Sequence, residues 1–378
     1  MKTFLRNGIV LGLIVVAIGA CNNEGPEYWT YYYAYVVNNG SNSISAYEID
    51  LSTGAWEELS DSPYSGGSQP ISIAIDPTGT FAYVANNGSN NVSAYTIQGL
   101  ADWGVPSGSL TAISGSPFPA GTLPQSVAIR PDGKFIYVAN SGTGINPGNI
   151  SAYAIVSPTG VLTAIAGSPF AANWNSVSIA VDPTGKFAYV ANMSNNNVSG
   201  YGINSSTGAL TTTAGSPYPS GPNPVSIAFD HSGKFAYVAN MSNNSVSGYS
   251  INSSTGALTE LPGSPYPGGW FSSAIAVDPT GKFVYLANAD QNVVFAYSIN
   301  SSTGALTAIA GSPFPAGSSP LYVAFDPTGK FAYVANADSN NVSAYAINST
   351  TGALSPIAGS PIPVGTRPTS IATYQVTR

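Results

Sequence analysis

The side chains that most often carry chemistry are scarce in this chain. There is one histidine and one cysteine, His231 and Cys21. His231 stands in Asp230-His231-Ser232-Gly233, a stretch with the composition of a tight turn, and reads as a solvated turn residue rather than an acid–base group. Lys134, Lys186, Lys234, Lys282 and Lys330 each follow a turn glycine at one recurring position. Asp76, Asp182, Asp230, Asp278 and Asp326 open the same turns, where an aspartate side chain supports the turn itself. No Cys/His cluster has zinc spacing, no Asp-rich loop has calcium spacing, and no Gly-x-Ser-x-Gly elbow is present. No metal, no cofactor and no catalytic residue is therefore assigned. Of the remaining acids, Glu48, Glu57, Glu58 and Glu260 lie on or beside strand-like segments, and Asp290 and Asp338 lie in loops.

A second group stands out because it breaks a pattern. Pro70, Pro124, Pro224, Pro320 and Pro368 occupy one recurring column, in which Ser176 and Ser272 are the exceptions. Two positions before those serines stand Trp174 and Trp270. The column between reads Gln69, Leu123, Asn175, Asn223, Phe271, Ser319 and Arg367, with Arg367 its only cation. The tryptophans either fill the space that the prolines vacate or form an aromatic platform. Aromatic faces beside amides suit a sugar or another small polar ring, and Trp and Arg are frequent anchors of binding surfaces. The candidate ligand-binding set is Trp174, Trp270, Phe271, Arg367, Gln69 and Asn223.

These columns exist because the chain is a repeat. A Tyr-Val-Ala-Asn-like tetrapeptide starts at Tyr35, Tyr83, Tyr137, Tyr189, Tyr237, Tyr285 and Tyr333, with spacings of 48, 54, 52, 48, 48 and 48. Gln98 to Gly108 holds six of the extra residues and Ser141 to Gly148 the other four. A period near 48 matches a four-stranded propeller blade. In one unit the strand-like runs are Val225–Phe229, Lys234–Asn240, Ser245–Ile251 and Ala257–Leu261, each bounded by Gly- or Asn-containing turns. The first strand recurs seven times, at Ile71, Gln125, Val177, Val225, Ser273, Leu321 and Thr369, yet the turn after it occurs only six times. The missing turn predicts a split blade: the C-terminal strand Thr369–Tyr374 pairs with N-terminal strands within 31–59. The expected fold is all-β, a seven-bladed propeller of four-stranded antiparallel blades whose termini close the ring and protect its edges.

Residues 1–20 read as an export signal, with Lys2 and Arg6 before an apolar stretch from Gly8 to Ala17. Ile18-Gly19-Ala20-Cys21 resembles a bacterial lipobox, which makes Cys21 the expected lipidation site. Residues 21–30 are then a tether and 31–378 the propeller. Asn22 after the cysteine resembles an outer-membrane or cell-surface sorting signal. The membrane is met only through the lipid anchor. Charged residues make up 7% and the net charge is −7, with no basic stripe for nucleic acid.

Pro183-Thr-Gly-Lys-Phe-Ala-Tyr-Val-Ala-Asn192 and Asn204-Ser-Ser-Thr-Gly-Ala-Leu210 resemble the units of the lactonase-like seven-bladed propeller family. That family includes 6-phosphogluconolactonase, muconate-cycloisomerase relatives and the YVTN-repeat surface proteins. The resemblance covers about residues 31–378. It implies the propeller fold and, for the enzymatic members, His, Arg and Glu side chains near the channel. This chain departs from that set. The sequence therefore favours an envelope-anchored binding or scaffold module for a glycan, a small polar ligand or a protein partner. Lactone hydrolysis is the alternative that the resemblance implies.

Overall fold

The computed structural model describes residues 30–99, 107–143 and 146–377. Cys21 and the leader lie outside them. Seven antiparallel sheets follow one another around a central axis. The second sheet is typical: Pro70–Ile75 is innermost, followed outward by Phe81–Asn86, Asn91–Ile97 and Leu110–Ala112. The split blade is present. Pro368–Thr377 lies antiparallel to Thr30–Asn38, with Tyr35 opposite Ala372 and Val37 opposite Ser370. Ser43–Ile49 and Trp56–Glu58 complete that sheet, which is counted here as blade 1.

Each sheet also carries a two-residue fifth strand where the repeat predicts a loop. Phe118–Pro119 pairs with Asn91 and Val92 on the edge shared with Leu110–Ala112, and its counterparts do the same in the other blades. The Ser-Pro pairs explain this strand. Ser62, Ser116, Ser168, Ser216, Ser264, Ser312 and Ser360 each accept a hydrogen bond at Oγ from a third-strand backbone N–H. The hydroxyl satisfies a ladder donor in the gap between the fourth and fifth strands, where a bare N–H would be left unpaired.

The second strand of blades 2 to 7 is buried along its length, as in Phe81–Asn86, and that of blade 1 is buried from Tyr33 to Asn38. Sheets stacked on both sides demand such a continuous apolar run. Hydrophobic clusters accordingly mix neighbours: Tyr33, Tyr35 and Val37 of blade 1 pack with Ile73, Val84 and Tyr95 of blade 2. Two sets of phenols stitch these interfaces. The Tyr35, Tyr83, Tyr137, Tyr189, Tyr237 and Tyr285 hydroxyls donate to the carbonyls of Gly108, Gly160, Gly208, Gly256, Gly304 and Gly352 in the next blade, and Tyr333 closes the circle at Gly54, all at 2.5–3.2 Å. In the opposite direction Tyr47, Tyr95, Tyr153, Tyr201, Tyr249, Tyr297 and Tyr345 donate to fifth-strand carbonyls of the preceding blade. Gly256 shows why glycine recurs in the acceptor turn. Its φ is +70°, and a Cβ there would lie 2.4 Å from the Phe187 ring.

The turn aspartates are structural. Asp182 is buried and accepts from the backbone N–H and hydroxyl of Thr184 and from the N–H of Phe187. In blade 3 Arg130 takes that position and donates to the Gly185 carbonyl at 2.7 Å and to Asp132 at 2.5 Å.

Candidate functional site at the channel mouth

The innermost strands surround a channel along the axis. Its chamber on the loop side is lined by Ile71, Ser72, Gln125, Ser126, Ser226 and Tyr322, among others, and encloses about 230 Å³. Deeper in, a second chamber of about 270 Å³ shares Ser72, Ser126, Ser226 and Tyr322 with it. One column thus faces the axis: Ser72, Ser126, Ser178, Ser226, Ala274, Tyr322 and Ser370. The serines also brace neighbouring strands. The backbone N–H groups of Val127 and Ile179 donate to the Oγ atoms of Ser72 and Ser126, both at 3.2 Å. Tyr322 is the large exception, standing beside the smallest member, Ala274. Burial pushes its phenol above the ordinary tyrosine value, and a hydrogen bond with Ser370 opposes that shift. The chamber therefore holds a protonated phenol and hydroxyls.

Above the chamber stands the column that precedes the innermost strands. All seven of its members, Gln69, Leu123, Asn175, Asn223, Phe271, Ser319 and Arg367, adopt φ between 47° and 56°. The left-handed region suits glycine and asparagine, and costs other L-residues about 1–2 kcal/mol. No glycine occurs in the column, and only two members are Asn. The backbone is locked in this form from both sides. The N–H groups of Gln69, Leu123, Asn223, Ser319 and Arg367 donate to the side chains of Asn42, Asn90, Asn196, Asn292 and Asn340 at 2.7–2.9 Å. Their carbonyls accept from the residue after each Tyr-Val-Ala-Asn segment, as Arg367 does from Asn39 at 2.9 Å. The fold thus lifts seven side chains off a fixed circle around the channel.

Arg367, Gln69 and Phe271 are exposed on that circle and Asn223 is half-buried. Trp270 is 56% and Phe271 51% exposed. Trp174 is 38% exposed, and with Leu123, Gln125 and Asn175 it lines a cleft of about 590 Å³. Both tryptophan units depart from the repeated clamp. The Trp174 N–H donates to Asn195 Oδ1 at 2.9 Å, and the Phe271 N–H to the Met241 carbonyl at 3.1 Å. Ser176, which replaces proline, donates from Oγ to Asn192 Oδ1 at 2.9 Å. The corresponding carbonyls of Asn38, Asn86, Asn140, Asn240 and Asn336 have no such donor.

Two acids stand in the loops that frame the mouth. Asp290 and Asp338 are exposed, and Asp338 Oδ2 accepts a hydrogen bond from the Ser319 hydroxyl. Asn340, two residues after Asp338, holds the Arg367 backbone. The loop that carries Asp338 thus also holds the Arg367 backbone, where blade 7 adjoins blade 1. His231 lies in its turn at the opposite end of the strands, with its Cβ 3.2 Å from where a Cβ on Gly281 would stand. Among the described residues, no three of His, Cys, Asp and Glu gather as a metal would require.

Sequence reasoning missed Tyr322 and Gln125 as channel-facing groups. The signal was present: Tyr322 is the one aromatic in a column of serines. Nothing in residue type betrayed the left-handed backbone at Gln69, Leu123, Phe271 or Arg367.

The chain matches one family, "Lactonase, 7-bladed beta-propeller", over residues 30–104, 107–229 and 216–371. No curated protein matches significantly. Solved structures share the fold at low identity. The periplasmic gluconolactonase of Pseudomonas aeruginosa superposes with a TM-score of 0.76 at 19% identity, covering 91% of this chain and 99% of that one. A putative 6-phosphogluconolactonase from Bacteroides fragilis gives 0.74 at 22%, covering 91% and 98%. These matches correct the expectation of a binding or scaffold module. The lack of a His/Arg/Glu set at the channel had steered that reading, whereas the family match spans every blade. The chain belongs to the seven-bladed β-propeller lactonase family.

Proposed function

We propose that the channel mouth hydrolyses the ester bond of an unphosphorylated sugar lactone. The observation that carries this reading is the family match over every blade, joined to a mouth that presents one cation and one paired acid on fixed backbone. In the reaction, water adds to the lactone carbonyl carbon and the ring C–O bond breaks, giving a hydroxy acid. Asp338, held by Ser319, accepts the proton of the attacking water and returns it to the ring oxygen as the C–O bond breaks. The Arg367 guanidinium takes up the charge that develops on the carbonyl oxygen. Tyr322, kept protonated by burial, and the serines of the upper chamber hydrogen-bond the hydroxyls of the sugar ring. A phosphate on the substrate would bring two negative charges to a mouth with a single arginine and two carboxylates, Asp290 and Asp338, which disfavours it.

The test is hydrolysis of glucono-δ-lactone, corrected for its spontaneous opening. Arg367→Ala is expected to lower kcat/KM by roughly 100- to 1,000-fold, as loss of an oxyanion donor does. Asp338→Asn is expected to lower it by about 100- to 10,000-fold. Wild-type turnover that both variants retain would place the chemistry elsewhere.

We also propose export and lipidation at Cys21. Cys21→Ser should move the protein from the membrane to the soluble fraction, and unchanged fractionation would refute it.

A further inference from the structure

In a circle of near-identical blades, a specific site has to be made where the repeat is broken, and two breaks converge on one cleft. The first is the insertion at Ser141 to Gly148, which places Ser141, Gly142 and Thr143 along one wall. The second is Trp174, which stands where the other units carry Ser68, Thr122, Pro222, Trp270, Ser318 and Thr366. Leu123, Gln125, Asn175 and Ser194 complete the lining. The cleft encloses about 590 Å³, within the range of about 300–1,000 Å³ that holds small ligands. Gln125 also lines the channel chamber, so the cleft adjoins the channel rather than lying apart from it.

The chemistry of the lining selects its occupant. Among the described residues it contains no charged side chain, which gives an ionic group no partner. Trp174 and Leu123 offer an apolar face. Gln125 and Asn175 offer amides, and Ser194 and Thr143 offer hydroxyls. An acyl chain would cover those polar groups without pairing them, an unfavourable burial. A pyranose ring satisfies both halves: its C–H face lies on the indole, and its hydroxyls meet the amides. The geometry points to a subsite for a neutral second sugar, so that the substrate is a glycosylated aldonolactone with its lactone ring at the mouth and its glycosyl unit against Trp174. This proposal rests on the hydrolase reading.

The test compares glucono-δ-lactone with cellobiono-δ-lactone in the wild type, Trp174→Ala and Trp174→Phe. The wild type should show a kcat/KM at least 10-fold higher for the disaccharide lactone. Trp174→Ala should collapse that ratio to near one through KM, and Trp174→Phe should restore most of it. Turnover of both lactones with a ratio near one that Trp174→Ala does not alter would overturn the subsite and leave the hydrolase reading standing. If neither lactone is turned over, the hydrolase reading fails, and calorimetric titration with cellobiose decides the cleft by itself. Binding by the wild type that weakens at least 10-fold in Trp174→Ala supports the cleft; no binding overturns it.

Discussion

Phe271 holds a φ of 55° with half of its surface in solvent, so neither local preference nor burial accounts for its type. Asparagine tolerates the same backbone region far better. Phe271→Asn is therefore expected to raise unfolding stability by about 0.5–1 kcal/mol, read as a higher urea midpoint at unchanged slope. A loss of stability would mean that the ring packs more than its exposure indicates. The same reasoning applies to Arg367, an exposed cation on a left-handed backbone fixed by Asn340 and Asn39. The fold imposes this backbone on all seven members of the column, whatever side chain each one projects. The candidate set of Trp174, Trp270, Phe271, Arg367, Gln69 and Asn223 was legible as breaks in a column. Its surroundings were not, because residue types alone did not reveal that Asp338 is tied to Ser319. A search for a histidine-centred set finds only His231, at the wrong end of the strands.

At the scale of elements, the two sets of tyrosines hold blade to blade. Tyr237→Phe leaves the Gly304 carbonyl without its partner in a buried interface, which should lower stability by about 1–3 kcal/mol. A urea melt measures it, and a loss under 0.3 kcal/mol (roughly the floor of such effects) would contradict the role. The tyrosines also fix the response to alkali. Burial raises the phenols of Tyr47, Tyr249 and Tyr297 to about 12, above the unfolded value near 10. The folded state then keeps protons that the unfolded state releases. Their contribution is fully present below about pH 10 and is lost as pH rises toward 12. Urea midpoints should therefore hold level to about pH 9 and fall above pH 10, and a midpoint that rises there would have the wrong sign. Strand order was readable from Tyr-Val-Ala-Asn and the turn glycines, because both mark fixed places in every blade. The fifth strand was not: a pair such as Phe118–Pro119 is too short to show alternation, and its cause is a side-chain hydroxyl, Ser116, bonding the backbone of Ala94.

The whole molecule depends on closure by Pro368–Thr377, foreseen from seven first strands against six turns. Deleting residues 368–378 removes the innermost strand of blade 1 and exposes Val36 and Val37, which are fully buried. The truncated chain should lose cooperative melting, and a melt like that of the full chain would refute the closure argument. The described chain begins at Thr30, paired with Thr377 at the turn end of the sheet, whereas Asn38 and Pro368 pair at the mouth. The central claim is that this mouth opens lactones, and its most direct measurement is proton release during hydrolysis of glucono-δ-lactone and its 6-phosphate by the purified propeller. Turnover of the unphosphorylated lactone well above the spontaneous rate, at least 10-fold faster than that of the phosphate ester and lost in Arg367→Ala, is the predicted result. Release at the spontaneous rate for both substrates would contradict it.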